Sequence, residues 1–570
     1  MAAILTERNL GSNLSLRLLH RTNSQPSIIN AAHQQTDIGI SRGEKSVDNV
    51  LRTISFGKEG RMRSRTVCLI NPPTSRDQDP LFFPMGPLVL ATLLRREGIP
   101  VRLVDFDFLF REEPALRDDR QAFDRRVLQI LGETGAEVFG ISSICSNFPY
   151  ALELAELIRS RWPAAKIIMG GPQPSSVPEA TLRTYPAVDA IVIGEGERTL
   201  LELLSSDWTE TSLRQVPGMA IRTASGVERT SPRPLIEDLD ELPMPDFSLL
   251  NIRHYLKLTP TLALIEAGRG CPFACNFCST ATFWSRKYRA KSPARILEEM
   301  TQLNKSLGMT CFNLTHDNFT TSPKYVRKFC EYFIANNRQG FTWSSSARTD
   351  SLLRCNPKLM RDAGCRYLFF GVDTGSPRLQ EIIDKHLDLE EFKAVLRQTV
   401  ELGIEATVSL ILGYPEETRD ELNQTIMLGC WSRDAGAGEV QFHRLSPLAG
   451  TKLFEEHKEE LLYEGVASDF SYPIAFQEKT LDDIRNHPKI FSSYFVAPTP
   501  ALSPLNLFLF SQFHYVLLKS LGKTFSRVFD RGKQNPVSLF EAWEGYFHEH
   551  FPDESSPTAD RILQSYLDFI

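Results

Sequence analysis

The spacing of three cysteines constrains this chain more than any other feature. Cys271, Cys275 and Cys278 stand at C-x3-C-x2-C spacing, directly after a predicted strand over 262–266. On a loop, this spacing lets three thiolates converge on one small, soft metal site. Three thiolates leave one iron of a four-iron cubane without a protein ligand, and an open coordination position is typical of a catalytic metal site. We therefore predict a [4Fe-4S] cluster on these three residues.

A structural zinc site is the alternative for this motif. Zinc would need a fourth Cys or His, and the nearest downstream histidine, His316, lies on another predicted strand. The other seven cysteines are scattered along the chain, as is usual for small buried core residues. A tight cysteine cluster without a disulfide framework indicates a reducing compartment, so we expect a cytoplasmic enzyme.

Composition and charge exclude several classes of protein. Apolar residues make up 42% and charged residues 24% of the chain, and the net charge is −6 over 570 residues. This balance is that of an ordinary globular protein and gives no reason to expect a nucleic acid partner. The most apolar stretch, Leu505 to Leu518, is interrupted by polar residues, so we expect no transmembrane segment. Residues 1–62 are expected to be a disordered leader, with an organelle transit peptide as the alternative.

Strands alternate with helices in the first third of the chain. Predicted strands lie at 66–70, 101–104, 138–142, 166–169 and 190–193. This alternation predicts an α/β fold with a doubly wound, flavodoxin-like parallel sheet over 63–204. Such sheets bind ligands beyond the carboxyl ends of their strands. The residues at those ends are Asn71, Ser142, Ser143, Gly170, Gly171 and Gly194, with Glu195 following.

A connector over 205–255 leads into a second series of strands and helices. The predicted strands of this series lie at 262–266, 311–315, 342–346, 367–372, 406–412 and 439–444. Six such repeats predict a partial (β/α)6 barrel over 256–455, with its site at the carboxyl ends of the strands. The remaining segment, 456–570, is expected to be mainly helical. It is rich in Phe and Tyr. These aromatic residues could form a substrate-capping region over the barrel mouth or a plain helical core.

The cysteine motif resembles the signature of the radical S-adenosylmethionine (SAM) superfamily. The resemblance covers about residues 260–455, and later strand ends resemble family elements in the expected order. It implies that the open iron binds the amino and carboxylate groups of SAM, whose cleavage yields a 5′-deoxyadenosyl radical. It also implies cofactor contacts by residues at or near the strand ends, namely Phe277, Asp317, Ser345, Arg348, Asp373 and Gly413.

One of these positions departs from the family pattern. The loop at 371–375 resembles the family's Gly-x-Glu-Ser-Gly, but here Asp373 and Thr374 replace Glu and Ser. The carboxylate is kept on a shorter side chain, and the resemblance implies a contact between Asp373 and SAM at this position.

The first sheet resembles the cobalamin-binding domains of the B12-dependent branch of this superfamily. The resemblance rests on residues 84–88, on the strand ends at 142–143 and 170–172, and on Gly194-Glu195-Gly196-Glu197. It implies cobalamin contacts by Ser142, Ser143, Gly170, Gly171, Gly194 and Glu195. The loop over 71–83 contains no histidine, so cobalamin would lack the ligand that an Asp-x-His-x-x-Gly loop supplies. A nucleotide-binding site is one alternative, but the sequence contains no G-x-G-x-x-G motif and no P-loop lysine. A sheet that binds no ligand is another alternative.

Three functions follow from these resemblances. The first is a cobalamin-dependent radical SAM methyltransferase that methylates an unactivated carbon of a small molecule, lipid, peptide or natural-product intermediate. The second keeps both cofactors but performs ring formation, oxidation or rearrangement. The third is a non-enzymatic cobalamin or iron-sulfur sensor, for which the open iron position has no use. Either enzyme would need an electron donor such as flavodoxin or ferredoxin.

Overall fold

The computed structural model describes residues 65–73, 82–117, 119–258, 263–463, 478–530, 534–552, 554 and 557–570. The expected leader over 1–62 lies outside the described residues. So do residues 74–81 of the loop without histidine and residues 464–477 of the C-terminal segment.

The first sheet has the predicted doubly wound topology. Its five parallel strands are β1 (Val67–Asn71), β2 (Val101–Asp105), β3 (Val138–Ser142), β4 (Lys166–Gly170) and β5 (Ala190–Val192). They are arranged in the order β2-β1-β3-β4-β5, so the strand order reverses between β1 and β3. Their apolar side chains form a core on both faces of the sheet, as expected for parallel strands covered by helices.

A β-hairpin extends the first sheet beyond the predicted strands. It consists of β6 (Met219–Thr223) and β7 (Gly226–Arg229), and β6 pairs antiparallel with β5. These strands lie in the segment predicted as a connector. The sheet therefore has seven strands, and the hairpin rather than β5 forms this edge.

The second sheet is the predicted open barrel of six parallel strands. They are β8 (Ala263–Glu266), β11 (Cys311–Thr315), β12 (Thr342–Ala347), β13 (Cys365–Asp373), β14 (Glu405–Leu412) and β15 (Glu439–Arg444). Their spatial order follows the chain, and β8 and β15 are the two edges. Between β8 and β11 the chain forms a small antiparallel ribbon of β9 (Gly268–Arg269) and β10 (Arg289–Ala290).

Helices cover both sheets. Those that follow strands of the first sheet or precede the second are α1 (Met85–Arg96), α2 (Phe106–Glu112), α3 (Arg120–Glu133), α4 (Phe148–Arg161), α5 (Pro172–Ser176), α6 (Pro178–Thr184), α7 (Gly196–Ser205), α8 (Glu210–Arg214) and α9 (Ile252–Leu258). Those of the barrel are α10 (Ser279–Phe283), α11 (Pro293–Leu307), α12 (Pro323–Asn336), α13 (Thr349–Leu352), α14 (Pro357–Asp362), α15 (Pro377–Ile382), α16 (Leu389–Glu401), α17 (Arg419–Asp434) and α18 (Lys452–His457). Single turns of 3-10 helix lie at Pro114–Arg117, Cys145–Asn147, Leu239–Glu241, Phe247–Leu249, Phe319–Thr321, Leu353–Cys355 and Ser492–Tyr494.

Local sequence signals set the ends of the barrel helices. α11 begins after Ser292, whose hydroxyl accepts a hydrogen bond from the Arg295 backbone N–H, and it ends at Gly308 in the left-handed region. α17 begins with a capping box between Thr418 and Glu421. Such caps satisfy backbone groups that a helix end leaves unpaired, so these helices start and stop at defined residues behind their strands.

The C-terminal region is mainly helical, as predicted, and it packs in two places. Its helices are α19 (Glu478–Asn486), α20 (Pro504–Leu521), α21 (Lys523–Asp530), α22 (Pro536–His550) and α23 (Ala559–Phe569). The segment after α19 returns to the first sheet, where the Gln173 amide donates to the Ile490 carbonyl at 2.8 Å. α20 packs along β15, and its Phe508 ring lies 4.8 Å from the Arg444 guanidinium. No helix in the described part of the chain is long and apolar enough to span a membrane.

Candidate functional site

The cysteine loop lies between the two strands of the β9–β10 ribbon and is anchored by backbone hydrogen bonds. Gly270 has φ +88°, and a Cβ at this position would lie 1.9 Å from the Lys287 carbonyl oxygen, so only glycine fits. Its N–H donates to Asp317 Oδ2 at 2.7 Å. Further along, the Asn276 N–H donates to the Ile383 carbonyl and the Cys278 N–H to the Cys275 carbonyl. The loop is thus held by the barrel on both sides of its cysteines.

The three thiols are half-buried, and they lie close enough for their charges to act on one another. Burial raises the pKa of Cys271 to about 12 and also raises the pKa of Cys275 and Cys278. The positive charges of Lys385 and Arg348 act against this at Cys275. Because thiolates are the metal-binding form, metal binding at this loop must displace protons.

Two kinds of metal site were considered for the cysteine loop, a multi-iron cluster and a zinc ion. Among the described residues, no three Cys, His, Asp or Glu side chains converge on a point that would suit one ion. Thiolates around a cubane stand farther apart, because each binds a different iron. The histidine considered for zinc, His316, is buried against the Tyr288 ring and accepts a hydrogen bond from the Asn318 N–H through Nδ1. The [4Fe-4S] cluster on Cys271, Cys275 and Cys278 stays a prediction.

Arg348, which is predicted to bind the cofactor, lies beside the second cysteine. Its Nη1 is 3.7 Å from Cys275 Sγ, and its guanidinium lies 3.8 Å from the centre of the Phe273 ring. Asp350 and the Lys385 carbonyl accept its other hydrogen bonds. Because these contacts leave it little freedom, Arg348 places a fixed positive charge next to a cluster ligand.

Asp373 ends β13 in the left-handed region, at φ +72°, and its carboxylate pairs with Lys385. Both side chains are buried, at 8% and 7% exposure. An aspartate with positive φ is tolerated where local bonding holds it. The ion pair supplies that bonding here, so the carboxylate faces an internal lysine. A contact with SAM stays a prediction for this residue.

Two other predicted residues lie around the cysteine loop. Asp317 uses both carboxylate oxygens on the loop, since it accepts from the Gly270 N–H and from the Thr280 hydroxyl at 3.2 Å. The Phe277 ring meets the buried Tyr414 ring edge-on at 5.8 Å. Asp317 therefore shapes the loop, and Phe277 closes one side of it.

The remaining two predicted residues lie farther along the barrel. The Ser345 hydroxyl donates to the Leu314 carbonyl at 2.9 Å, and this side chain shares the face of β12 that carries the core residues Trp343 and Ala347. Gly413 has φ +93° and donates its N–H to Glu417 Oε2 at 2.5 Å. Their roles in cofactor binding remain predictions.

Sequence reasoning missed most of the polar residues that line the barrel interior. Side chains alternate along a strand, so Ser344 and Ser346 lie on the opposite face of β12 from Ser345. On β15 the same face carries Gln441 and His443, whose side chains lie 3.2 Å apart. The alternation with the apolar residue Trp343 is the signal that could have identified Ser344 and Ser346.

The carboxyl edge of the first sheet is built from closely packed backbone. The Ser143 N–H donates to the Gly170 carbonyl at 2.9 Å, and a Cβ on Gly171 would lie 2.4 Å from the Ser143 carbonyl oxygen. Gly194 donates to the Ser175 hydroxyl, and a Cβ there would meet nothing within 4 Å. Ser142 is half-buried at the end of β3. A flat edge of small residues with open space beside it fits a planar macrocycle.

Glu195 follows Gly194 directly, but its carboxylate bonds to residues outside the first sheet. It is buried, and its two carboxylate oxygens accept hydrogen bonds from Arg269, Arg289 and the Ile236 N–H. Its predicted contact with cobalamin is untested, and its carboxylate is committed to the neighbouring barrel.

The two predicted cofactor sites face each other. α5, which follows Gly171, packs against α10, which follows Cys278. Between them, the Thr282 hydroxyl donates to the Gly450 carbonyl at 2.9 Å, and a Cβ on Gly450 would lie 3.8 Å from Ser176. The fold therefore brings the glycine edge of the first sheet to the cysteine loop of the second.

A buried acid at the same edge gives a pH-dependent prediction. Burial, reinforced by the charge of Asp107, raises the pKa of Asp105 to about 7. A raised carboxyl pKa means that the native state binds more protons than the unfolded state between about pH 4 and pH 7, so stability falls as pH rises through this window. Asp105→Asn keeps an N-cap for α2 and removes this charge. The free energy of unfolding of the variant, relative to that of the native protein, should therefore increase by about 2 kcal/mol from pH 5 to pH 8.

Urea unfolding at both pH values measures this change. Asp119→Asn is the matched control, because Asp119 caps α3 in the same way but is exposed. For Asp119→Asn, the difference in unfolding free energy from the native protein should be the same at pH 5 and pH 8. If it is also the same for Asp105→Asn, the attribution to Asp105 is wrong.

Two family models match the chain. The model described as the B12 binding domain matches residues 80–204, and that of the radical SAM superfamily matches residues 265–429. The first match covers the sheet with the glycine edge, and the second covers the cysteine loop and most of the barrel.

Known proteins resemble the chain over most of its length. An uncharacterized methyltransferase of Pyrococcus horikoshii is 28% identical over 400 residues, which cover 69% of this chain and 83% of the relative. An anaerobic magnesium-protoporphyrin IX monomethyl ester cyclase of Cereibacter sphaeroides is 27% identical over 59% of this chain and 55% of the cyclase. The radical SAM methyltransferase TsrM of Kitasatospora setae, solved with cobalamin and a [4Fe-4S] cluster, shares the fold with a TM-score of 0.61 and 18% identity, over 80% of this chain and 89% of TsrM.

Proposed function

The chain belongs to the cobalamin-binding branch of the radical SAM superfamily, and we propose that it methylates an unactivated carbon of its substrate. The observation that carries the proposal is the meeting of the glycine edge and the cysteine loop across α5 and α10. A methyl donor and a radical source must act on the same carbon, so the two cofactors have to open onto one space.

The residues present fit both cofactors. Cys271, Cys275 and Cys278 would hold the [4Fe-4S] cluster, and the backbone of residues 142–143, 170–171 and 194 would support cobalamin. When bound, these groups and SAM supply a carbon-centred radical and a transferable methyl group. The residues of the chain would hold these groups in place and supply the charges around them.

The charges around the cysteine loop favour an electron-rich cluster with a bound anionic group. Arg348 and Lys385 both act electrostatically on Cys275. Positive charges next to thiolates stabilise added negative charge in a buried setting. The same charges suit the carboxylate of SAM at the neighbouring open iron, which supports the proposed role of Arg348.

The barrel interior and the C-terminal helices supply the proposed substrate site. The Leu507 side chain on α20 reaches the end of β14, where it lies 2.5 Å from the position of a Cβ on Gly413. With Phe508 against Arg444, the start of α20 covers this side of the barrel mouth. This cover supports a site that excludes water from a reactive intermediate. A small molecule, lipid or peptide is the proposed substrate class.

Ring formation is the second candidate function, because a cyclase is among the relatives. Both functions use the same two cofactors and differ in whether a methyl group is transferred to the substrate. A sensor does not fit a chain of an enzyme superfamily whose predicted cluster keeps an iron open.

Anaerobic reconstitution with candidate substrates separates the two enzymes. Methylation predicts 5′-deoxyadenosine and S-adenosylhomocysteine together, since one SAM is cleaved and another gives its methyl group. Deoxyadenosine without S-adenosylhomocysteine would favour the ring-forming alternative. The proposed electron donor is flavodoxin or ferredoxin. The proposed location is the cytoplasm, because the free cysteines and the electron supply need a reducing compartment.

A further inference from the structure

A buried ion-pair network joins the first sheet to the cysteine loop. We call Glu195, Glu197, Glu266, Arg269 and Arg289 the bridging network. Arg269 donates from Nη1 to Glu195 and from Nη2 to Glu197, each at 2.7 Å, and from Nε to Glu266 at 2.8 Å. The side chains of Arg269, Glu195 and Glu197 are each at most 7% exposed. This arginine therefore ties β8 and β9 of the barrel to the loop that enters α7.

The ribbon around the cysteine loop depends on this network. Arg269 and Arg289 are direct partners across β9 and β10, and like charges opposite each other destabilise such a pair. Glu195 Oε1 accepts from both guanidinium groups at 2.7 Å. The Trp284 ring lies against both, 5.7 Å from Arg269 and 5.4 Å from Arg289. One carboxylate from the loop after β5 thus bonds to both buried cations of the ribbon, and Glu197 and Glu266 supply further negative charge to Arg269.

The ends of the network lie next to both predicted cofactor sites. Arg269 is separated from Cys271 by Gly270 alone, and the Gly270 N–H is fixed on Asp317. Glu195 follows Gly194 of the glycine edge directly. A buried charge that loses its partner forces the surrounding structure to move. A change at one end therefore shifts the backbone at the other.

We propose that Arg269 and Glu195 are positioning residues that set the separation between the cluster and cobalamin. This inference rests on the proposed function, because it needs both cofactors in one chain. It assigns no chemical step to either residue. Loss of Arg269 should loosen the geometry of the two sites without removing a ligand from either.

Electron paramagnetic resonance of the reconstituted protein tests this positioning. Cob(II)alamin near the reduced cluster speeds the relaxation of the cluster spin, and the effect falls steeply with distance. We expect Arg269→Gln to reduce this enhancement roughly twofold or more, since a site that loses its support becomes looser by about 1 Å. Arg269→Lys keeps the charge but cannot reach three carboxylates, so it should fall between Arg269→Gln and the native protein.

Arg233→Gln is the matched control. Arg233 pairs with Glu202 on the same helix α7, but it ties that helix to the connector and not to the cysteine loop. It should leave the enhancement unchanged. Glu197→Gln, which removes one carboxylate of the network, replaces Arg269→Gln if the latter loses iron or cobalamin.

Two negative results have different meanings. A native protein that binds iron but shows no effect of cob(II)alamin would contradict the proposed function itself. A native protein with the effect, and an equal effect in Arg269→Gln or its replacement, would overturn the positioning role alone.

Discussion

Cys275→Ala is expected to remove the cluster and to abolish SAM cleavage while the chain stays folded. Cys275 is one of the three predicted ligands. Replacing residues that merely orient metal ligands already costs 10–100-fold in metal affinity or activity, so we expect a loss of more than about 100-fold. The loop anchors use backbone atoms of Gly270, Asn276 and Cys278, which this variant keeps. Iron content, visible absorption and 5′-deoxyadenosine formation measure the loss, and circular dichroism checks the fold.

Cys330→Ala is the matched control for this variant. Cys330 is a fully buried core thiol on α12, so its loss removes the same atom from a site without metal. Iron and SAM cleavage should stay near native levels. If Cys275→Ala retains as much iron as Cys330→Ala, the assignment of the cluster to this loop is wrong.

Gly171→Ala is expected to abolish tight cobalamin binding and to leave the iron content unchanged. The backbone at Gly171 has φ +99° and ψ 179°, a region that is essentially restricted to glycine. A Cβ there would also lie 2.4 Å from the Ser143 carbonyl oxygen. Relieving this clash must separate the loops after β3 and β4, which form the proposed cobalamin support. Titration with hydroxocobalamin should show affinity reduced by more than about tenfold, the equivalent of 1.4 kcal/mol.

Gly98→Ala separates backbone strain from the effect of the clash. Gly98 also has positive φ, at +74°, but a Cβ there would meet nothing within 4 Å. It should cost about 1–2 kcal/mol of stability, and cobalamin binding should be native. Equal cobalamin affinity in the two variants would contradict the placement of cobalamin at the glycine edge.

Features that depend on nearby residues could be predicted from the sequence. The cysteine motif spans only eight residues. The alternation of strands and helices predicted eleven parallel strands, five in the first sheet and six in the second. The hairpin β6–β7 was missed, because β7 is mostly polar and partly exposed and so has no apolar pattern that would mark a strand.

Features that depend on distant residues could not be predicted. The Glu195 carboxylate pairs with Arg269, 74 positions later in the chain, and nothing in the sequence indicated this pairing. Side-chain partners across two domains leave no local pattern in a single sequence.

The cofactor content of the anaerobically reconstituted full chain tests the central claim most directly, because it needs no substrate. The account predicts about four iron atoms with matching sulfide, and about one cobalamin, bound to the same chain. A chain that binds zinc at the cysteine loop, or that holds iron and sulfide but no cobalamin, would contradict an enzyme built on both cofactors.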